Sequence, residues 1–137
     1  MAATIDPHGA LVYVMVLVSA ADAEMSDSEL RVMGDIVRFL RVFRGFEEER
    51  LPNLAHECSV LLQDPDGLDK ALDAVKRALP ERLRETAYAI ACDVAAADGR
   101  VTQEELRLLE MIRHRLEVDR LAAAAIERGA RARCAAL

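Results

Sequence analysis

The sequence predicts an all-α fold, a single compact bundle of about seven helices, from its composition and its periodic apolar residues. Aromatic residues make up 4% of the 137 residues and Trp is absent, whereas strands favour aromatic and β-branched residues. Ala, Leu, Arg and Glu, all strong helix formers, are abundant. Six Gly and four Pro are too few for the frequent turns of a β-sandwich. One domain is therefore expected over residues 1–137.

The first helix is expected to be the centre of the bundle. It begins at Asp6-Pro7, an N-cap followed by Pro at the first helical position, and its pattern stops at Asp22. Apolar residues over 11–18 fall on every face, which indicates burial all round. The apolar run over 9–21 has 13 residues, too few to span a bilayer. No Lys or Arg precedes it, so it does not resemble a signal peptide.

The remaining helices are indicated by capping residues, Pro and Gly. The second helix is expected to begin at Ser26 and to end at Gly45. The starts of the later helices are marked, in chain order, by Pro52, the turn over 63–67, Pro80, Thr102 and Asp119. The Ala- and Arg-rich end over 129–137 is expected to fray. Apolar residues three or four apart carry the expected inward faces. They include Leu30, Met33, Val37 and Leu40 in the second helix, Leu54 and Cys58 in the third, Leu72 and Val75 in the fourth, Ile90 and Val94 in the fifth, Leu106, Leu109, Ile112 and Leu116 in the sixth, and Leu121 and Ile126 in the seventh.

An internal repeat relates residues 76 positions apart, in halves at about 8–45 and 80–117. The shared pattern is Ala-Ala-Asp-x-x-apolar-[Ser/Thr]-x-x-Glu-Leu, beginning at residue 20 in one copy and residue 96 in the other. Each copy is expected to form a helix, a tight turn and a second helix. The predicted architecture is therefore a pseudo-twofold bundle built from two such helix pairs.

Two carboxylates lie seven residues apart across the turn of each copy, Asp22 with Glu29 and Asp98 with Glu105. If the two turns meet near the pseudo-axis, these four carboxylates form an all-oxygen site. Such a site suits Mg²⁺, Ca²⁺ or Mn²⁺ rather than zinc. These four residues are the candidate metal ligands, and a divalent cation is the candidate cofactor.

A true EF-hand is excluded, although the second turn is similar to the latter part of an EF-hand loop. The earlier ligand positions hold side chains that cannot coordinate calcium, namely Val18, Ala20, Val94 and Ala96. Two further carboxylates, Asp93 and Glu24, are candidates to complete a cation site of another kind.

A purely structural interpretation of the same residues stays open. Ser26 with Glu29, and Thr102 with Glu105, have the spacing of capping boxes, in which a hydroxyl and a Glu satisfy the first N–H groups of a helix. Each box would stabilise its helix by about 1 kcal/mol. Asp22 would then only end the preceding helix, as would the corresponding Asp98.

The repeated motif resembles the TerB tellurite-resistance family and the related N-terminal domain of the DjlA membrane co-chaperones. The resemblance rests on residues 16–22 and 94–102 with the capping residues that follow, and it spans roughly residues 8–128. It implies a seven-helix bundle with no known enzymatic activity, linked to tellurite resistance and bacterial stress response. It also implies metal binding through acidic residues, which map onto Asp22, Glu29, Asp98 and Glu105. With no J-domain or anchor in this sequence, we expect a stand-alone domain rather than a co-chaperone.

The net charge and the lack of catalytic motifs count against two classes of function, nucleic-acid binding and catalysis. A net charge of −6 disfavours nucleic-acid binding, which needs a basic face. The sequence has no phosphate-binding glycine loop, nucleophile elbow or Glu-x-x-His motif, so we expect no enzymatic activity. The three cysteines lie far apart, at 58, 92 and 134, which is typical of a reducing compartment and predicts a cytoplasmic protein.

Charge is also unevenly distributed. Residues 1–105 hold 11 basic and 20 acidic side chains, and residues 106–137 hold 7 and 4. The basic end is interpreted as a solvated helix face, so contact with a membrane surface is not expected. Two hypotheses remain: a TerB-like domain that binds a divalent cation, or a homodimerising protein-interaction module whose acidic turns are only helix caps.

Overall fold

The computed structural model describes residues 5–21, 27–97 and 99–137. Over these ranges the chain forms seven α-helices and no strand, which confirms the predicted all-α bundle. The helices are α1 (Pro7–Ala20), α2 (Asp27–Phe39), α3 (Arg50–Leu61), α4 (Gly67–Ala78), α5 (Arg84–Ala95), α6 (Gln103–Arg115) and α7 (Arg120–Arg133). Short 3₁₀ turns at Arg41–Phe43 and Glu81–Leu83 precede α3 and α5.

Helix α1 is the centre of the bundle, as predicted. Every residue from Gly9 to Ser19 is buried, because α3, α4, α5 and α6 all pack around this helix. Its start is fixed by Asp6, whose Oδ1 accepts the N–H of Gly9 at 2.8 Å. The guanidinium of Arg50 donates to both oxygens of the same carboxylate at 3.1 Å, which joins the start of α3 to that of α1. In the part of the chain described, no helix has both the length and the apolarity needed to cross a membrane.

Helix α5 is the second organising element, because α1, α2, α6 and α7 all pack against it. Helices α1 and α5 are the first helices of the two sequence copies, and α2 and α6 are the second. Helices α2 and α6 each have 13 residues, and their first residues, Asp27 and Gln103, lie 76 positions apart. The helix pairs of the repeat are thus present, and the pseudo-twofold relation between them stays a prediction.

Four leucines expected to face inward are exposed instead: Leu30, Leu40, Leu106 and Leu121. In α2 and α6 the preceding residue, Glu29 or Glu105, takes the buried position. Leu121 lies two positions before the buried Ala123 and therefore points to the opposite side of α7, since two residues turn a helix by about 200°.

The end of α2 differs from the prediction. Helix α2 does not continue to Gly45: it ends at Phe39, and the extended backbone of Leu40 (φ −74°, ψ 132°) directs the chain into a 3₁₀ turn. Gly45 then adopts φ 86° in the loop before α3. Helix α7 continues past Gly129 to Arg133, and Ala130 is buried. Fraying of the chain over 129–137 stays a prediction.

We expect Asp6→Ala to lower the free energy of unfolding at neutral pH by about 1 kcal/mol, because the N-cap of the central helix is lost. The hydrogen bond from Arg50 lowers the pKa of Asp6 below its ordinary value of 3.8. The ionised carboxylate therefore contributes stability above that value, and the contribution is lost as the pH falls through the lower pKa of the folded state. In urea titrations, the difference between wild type and variant should shrink below about pH 4. Asp6→Asn is the control that keeps an N-cap acceptor, and a difference independent of pH would contradict this account.

Glu117 provides a second test, because it follows Leu116, the C-cap of α6, and has φ 57°, a conformation that favours Gly. Its N–H bonds to the carbonyl of His114 at 3.1 Å, and the next N–H bonds to that of Arg113 at 3.0 Å. We expect Glu117→Gly to be more stable than Glu117→Ala by about 1 kcal/mol. Both variants lose the ion pair with Lys76 (2.8 Å), so their comparison in thermal unfolding isolates the backbone effect. Equal melting temperatures would show that this turn is unstrained.

Candidate functional site

Two glutamates occupy corresponding, almost completely buried positions in the structure. Glu29 and Glu105 are the third residues of α2 and α6, and they are 3% and 2% exposed. Removing a carboxylate from water is costly unless hydrogen bonds or an opposite charge compensate for it. A helix N-terminus provides part of that compensation through its free N–H groups and its dipole.

The environment of Glu105 confirms the capping box predicted at Thr102. Thr102 Oγ1 accepts the N–H of Glu105 at 3.1 Å. In return, Glu105 Oε1 accepts the N–H of Thr102 at 3.0 Å and its hydroxyl at 3.2 Å. These mutual bonds explain why Glu105 turns inward, towards the start of its own helix. In the first copy Ser26 lies outside the described residues, so that capping box stays a prediction.

The other predicted ligands divide into two groups. Asp22, Asp98 and Glu24 lie outside the described residues, so the convergence of the four carboxylates stays a prediction. Asp93 is described, and its carboxylate accepts a hydrogen bond from the guanidinium of Arg133 at 2.6 Å. This positive charge already compensates for the negative charge of Asp93. Among the residues that the structure describes, no three His, Cys, Asp or Glu side chains are grouped to hold a metal.

A groove of about 680 Å³ lies between α6 and α7, with α5 as its floor. Its apolar lining includes Leu109, Ala95 and Ala130, and one end reaches Gly99 and Val101, next to the second acidic turn. Each wall also carries one glutamate and one arginine, which are Glu110 and Arg113 on α6 and Glu127 and Arg131 on α7. The volume of the groove is in the range of small-molecule sites. Its lining carries as many glutamates as arginines on each wall, so its charge favours neither an anionic nor a cationic ligand.

Two polar side chains of the groove floor remain protonated at neutral pH. Burial raises the pKa of the Cys92 thiol to about 12. Burial and a 2.6 Å hydrogen bond to Glu127 raise the pKa of Tyr88. A thiol is nucleophilic only as the thiolate, so Cys92 is not activated for covalent chemistry. The groove was not predicted from the sequence, because a gap between two helices leaves no periodic signal.

The fold and the two buried glutamates together define a helical-bundle domain in which two helix pairs carry a glutamate at the same first-turn position. Comparison with protein families identifies this class: the model for tellurite resistance protein TerB matches residues 8–128. The chain therefore belongs to the TerB family. No curated protein and no solved structure gives a significant match.

We expect Thr102→Val to lower the free energy of unfolding by about 1 kcal/mol, because the isosteric side chain cannot accept the N–H of Glu105. Combined with Glu105→Gln, its effect should be non-additive, since the two residues share their hydrogen bonds. Urea titrations in a chelator measure this double-mutant cycle without any cation. Glu104→Gln, an exposed carboxylate in the same turn, is the control and should be nearly neutral. Additive effects would contradict a coupled capping box.

Proposed function

We propose that this protein is a non-enzymatic, cytoplasmic TerB-family domain of the bacterial stress response that binds a divalent cation. The cation is Ca²⁺, Mg²⁺ or Mn²⁺, and its ligands are Asp22, Glu29, Asp98 and Glu105. The observation that supports this proposal is the burial of a glutamate at the same helical position in both copies.

Burial supports a cation because capping alone does not require it. Capping boxes are also formed by glutamates at exposed helix ends, and Lys, Glu, Arg and Asp are almost never fully buried unless they are paired. A divalent cation shared by the two buried glutamates and the two repeated aspartates would stabilise all four carboxylates at one place, through the oxygen ligands that hard cations prefer.

The two buried thiols, Cys92 in the groove and Cys58 in the core, are in keeping with a binding role. Cys92 has a pKa raised to about 12, as has the buried Cys58, and in both cases the largest cause is desolvation. These two thiols are therefore not poised as nucleophiles at neutral pH.

Thermal unfolding and calorimetry with each cation test this proposal. At a cation concentration 100 times Kd we expect a stabilisation of about 2.7 kcal/mol, and Asp22→Asn with Asp98→Asn should abolish it. Glu29→Gln with Glu105→Gln should weaken it while leaving two candidate ligands. Glu104→Gln and Asp27→Asn remove exposed carboxylates from the same first turns and should respond as wild type does.

The competing function, a homodimerising interaction module, is favoured by one specific observation. Leu30 and Leu106, at corresponding positions of the repeat, are each about half exposed. If none of the three cations changes the melting temperature, and none gives a heat of binding in calorimetry, the cation proposal is wrong. Sedimentation velocity on Leu30→Asp with Leu106→Asp then tests the module, which requires that wild type self-associates and that this variant does not.

A further inference from the structure

The corner between α2 and α3 exposes an aromatic side chain among arginines. This arginine corner, residues 38–44, has the sequence Arg-Phe-Leu-Arg-Val-Phe-Arg, with three basic residues and no acidic one. Phe39 is 80% exposed, and its neighbour Leu40 is exposed as well. An aliphatic or aromatic side chain in water gives up a stabilisation that burial would provide, so the outward position of Phe39 requires an explanation.

The backbone of the corner is firmly tied to the bundle. Phe43 is buried, and its ring stacks on that of His8 with a 5.5 Å centroid distance. His8 Nε2 donates to the carbonyl of Val42 at 2.9 Å. The N–H of Leu40 bonds to the carbonyl of Ile36, and that of Phe43 to the carbonyl of Leu40, each at 3.0 Å. The corner therefore has a fixed backbone, with Phe43 buried in the bundle and Phe39 exposed to solvent.

The charges of the corner are only partly compensated. Arg38 bonds to Glu48 at 2.7 Å and approaches Asp35 at 3.9 Å. Arg41 and Arg44 are exposed, and within the part of the chain that the structure describes neither forms an ion pair. The charges of Arg41 and Arg44 thus lie next to the exposed side chains of Phe39 and Leu40. This combination is complementary to an anionic surface that has an apolar layer beneath it.

We propose that the arginine corner docks this protein reversibly on the anionic surface of a lipid bilayer, with Phe39 and Leu40 at the headgroup level and Arg41 and Arg44 on lipid phosphates. The area of the corner favours a bilayer over a protein partner. A typical protein interface buries about 800 Å² per partner and has an apolar centre. Two apolar residues surrounded by charged residues are too few to form such a centre. A bilayer contact can be smaller, because an interfacial aromatic residue and each basic residue near an anionic surface contribute separately to binding.

This proposal replaces the sequence-based expectation of no membrane contact, which rested on the basic residues after residue 105 and did not consider the corner. It is independent of the proposed cation site. Glu47 and Glu49, both exposed and close in sequence to the corner, oppose the attraction. The contact is therefore expected to be weak and sensitive to salt, since exposed charges are screened beyond about 8 Å at physiological ionic strength.

Cosedimentation with two kinds of vesicle tests the proposal: equal parts phosphatidylglycerol and phosphatidylcholine, or phosphatidylcholine alone. Wild type should bind the first kind, bind the second much less, and dissociate at high salt. Phe39→Ala should weaken binding about tenfold, and Arg41→Gln or Arg44→Gln about fivefold each. Glu47→Gln with Glu49→Gln should strengthen it. All five substituted residues are exposed, so melting temperatures should stay near that of wild type.

Leu121→Ala is the matched control, because Leu121 is 79% exposed, next to the exposed Arg120 on α7, and lies outside the corner. It should bind as wild type does. The proposal is overturned if wild type does not bind the anionic vesicles, if Phe39→Ala binds them unchanged, or if Leu121→Ala weakens binding as much as Phe39→Ala. A change of oligomeric state in Phe39→Ala without vesicle binding by wild type would instead assign the corner to a protein contact.

Discussion

The burial of α1 on every side organises the bundle. A helix that is apolar on every face cannot remain in water, and every residue from Gly9 to Ser19 is buried here. Helices α3, α4, α5 and α6 must therefore surround it. They need only one apolar stripe each, which is the pattern of an amphipathic helix. The direction of the chain at the start of α1 is set by Asp6, which caps α1 and holds Arg50 of α3.

The central position of α1 and α5 also determines where charge is buried. In the sequence, an aspartate follows each of these two helices, and the next helix has a buried glutamate as its third residue. Elsewhere the described ion pairs are exposed, as in the contact of Arg115 with Asp69 and Asp73. Exposed pairs contribute little to stability, so the two glutamates, Glu29 and Glu105, are the charges whose environment the bundle controls most closely.

Capping residues allowed several boundaries to be predicted from sequence alone. Asp6, Thr102 and Asp119 each accept N–H groups of the first turn in the structure, because capping is a local interaction that depends on residue type and spacing. The inward face was less predictable. Apolar periodicity favoured Leu30 and Leu106 over the glutamates before them, because it depends on hydrophobicity alone. It takes no account of a carboxylate that bonds to its own N-cap, as that of Glu105 does. The groove over α5 and the outward position of Phe39 gave no sequence signal, because both depend on how separate helices pack.

Composition, local capping and the periodicity of single helices were enough to predict the all-α class, the buried first helix, the repeated acidic motif and the resemblance to the TerB family. Three properties follow from packing between helices instead. The third residue of α2 and of α6 is buried, α6 and α7 leave a groove over α5, and Phe39 is exposed beside Arg41. A residue is buried only when other helices cover it, and such contacts join residues that lie far apart in the chain.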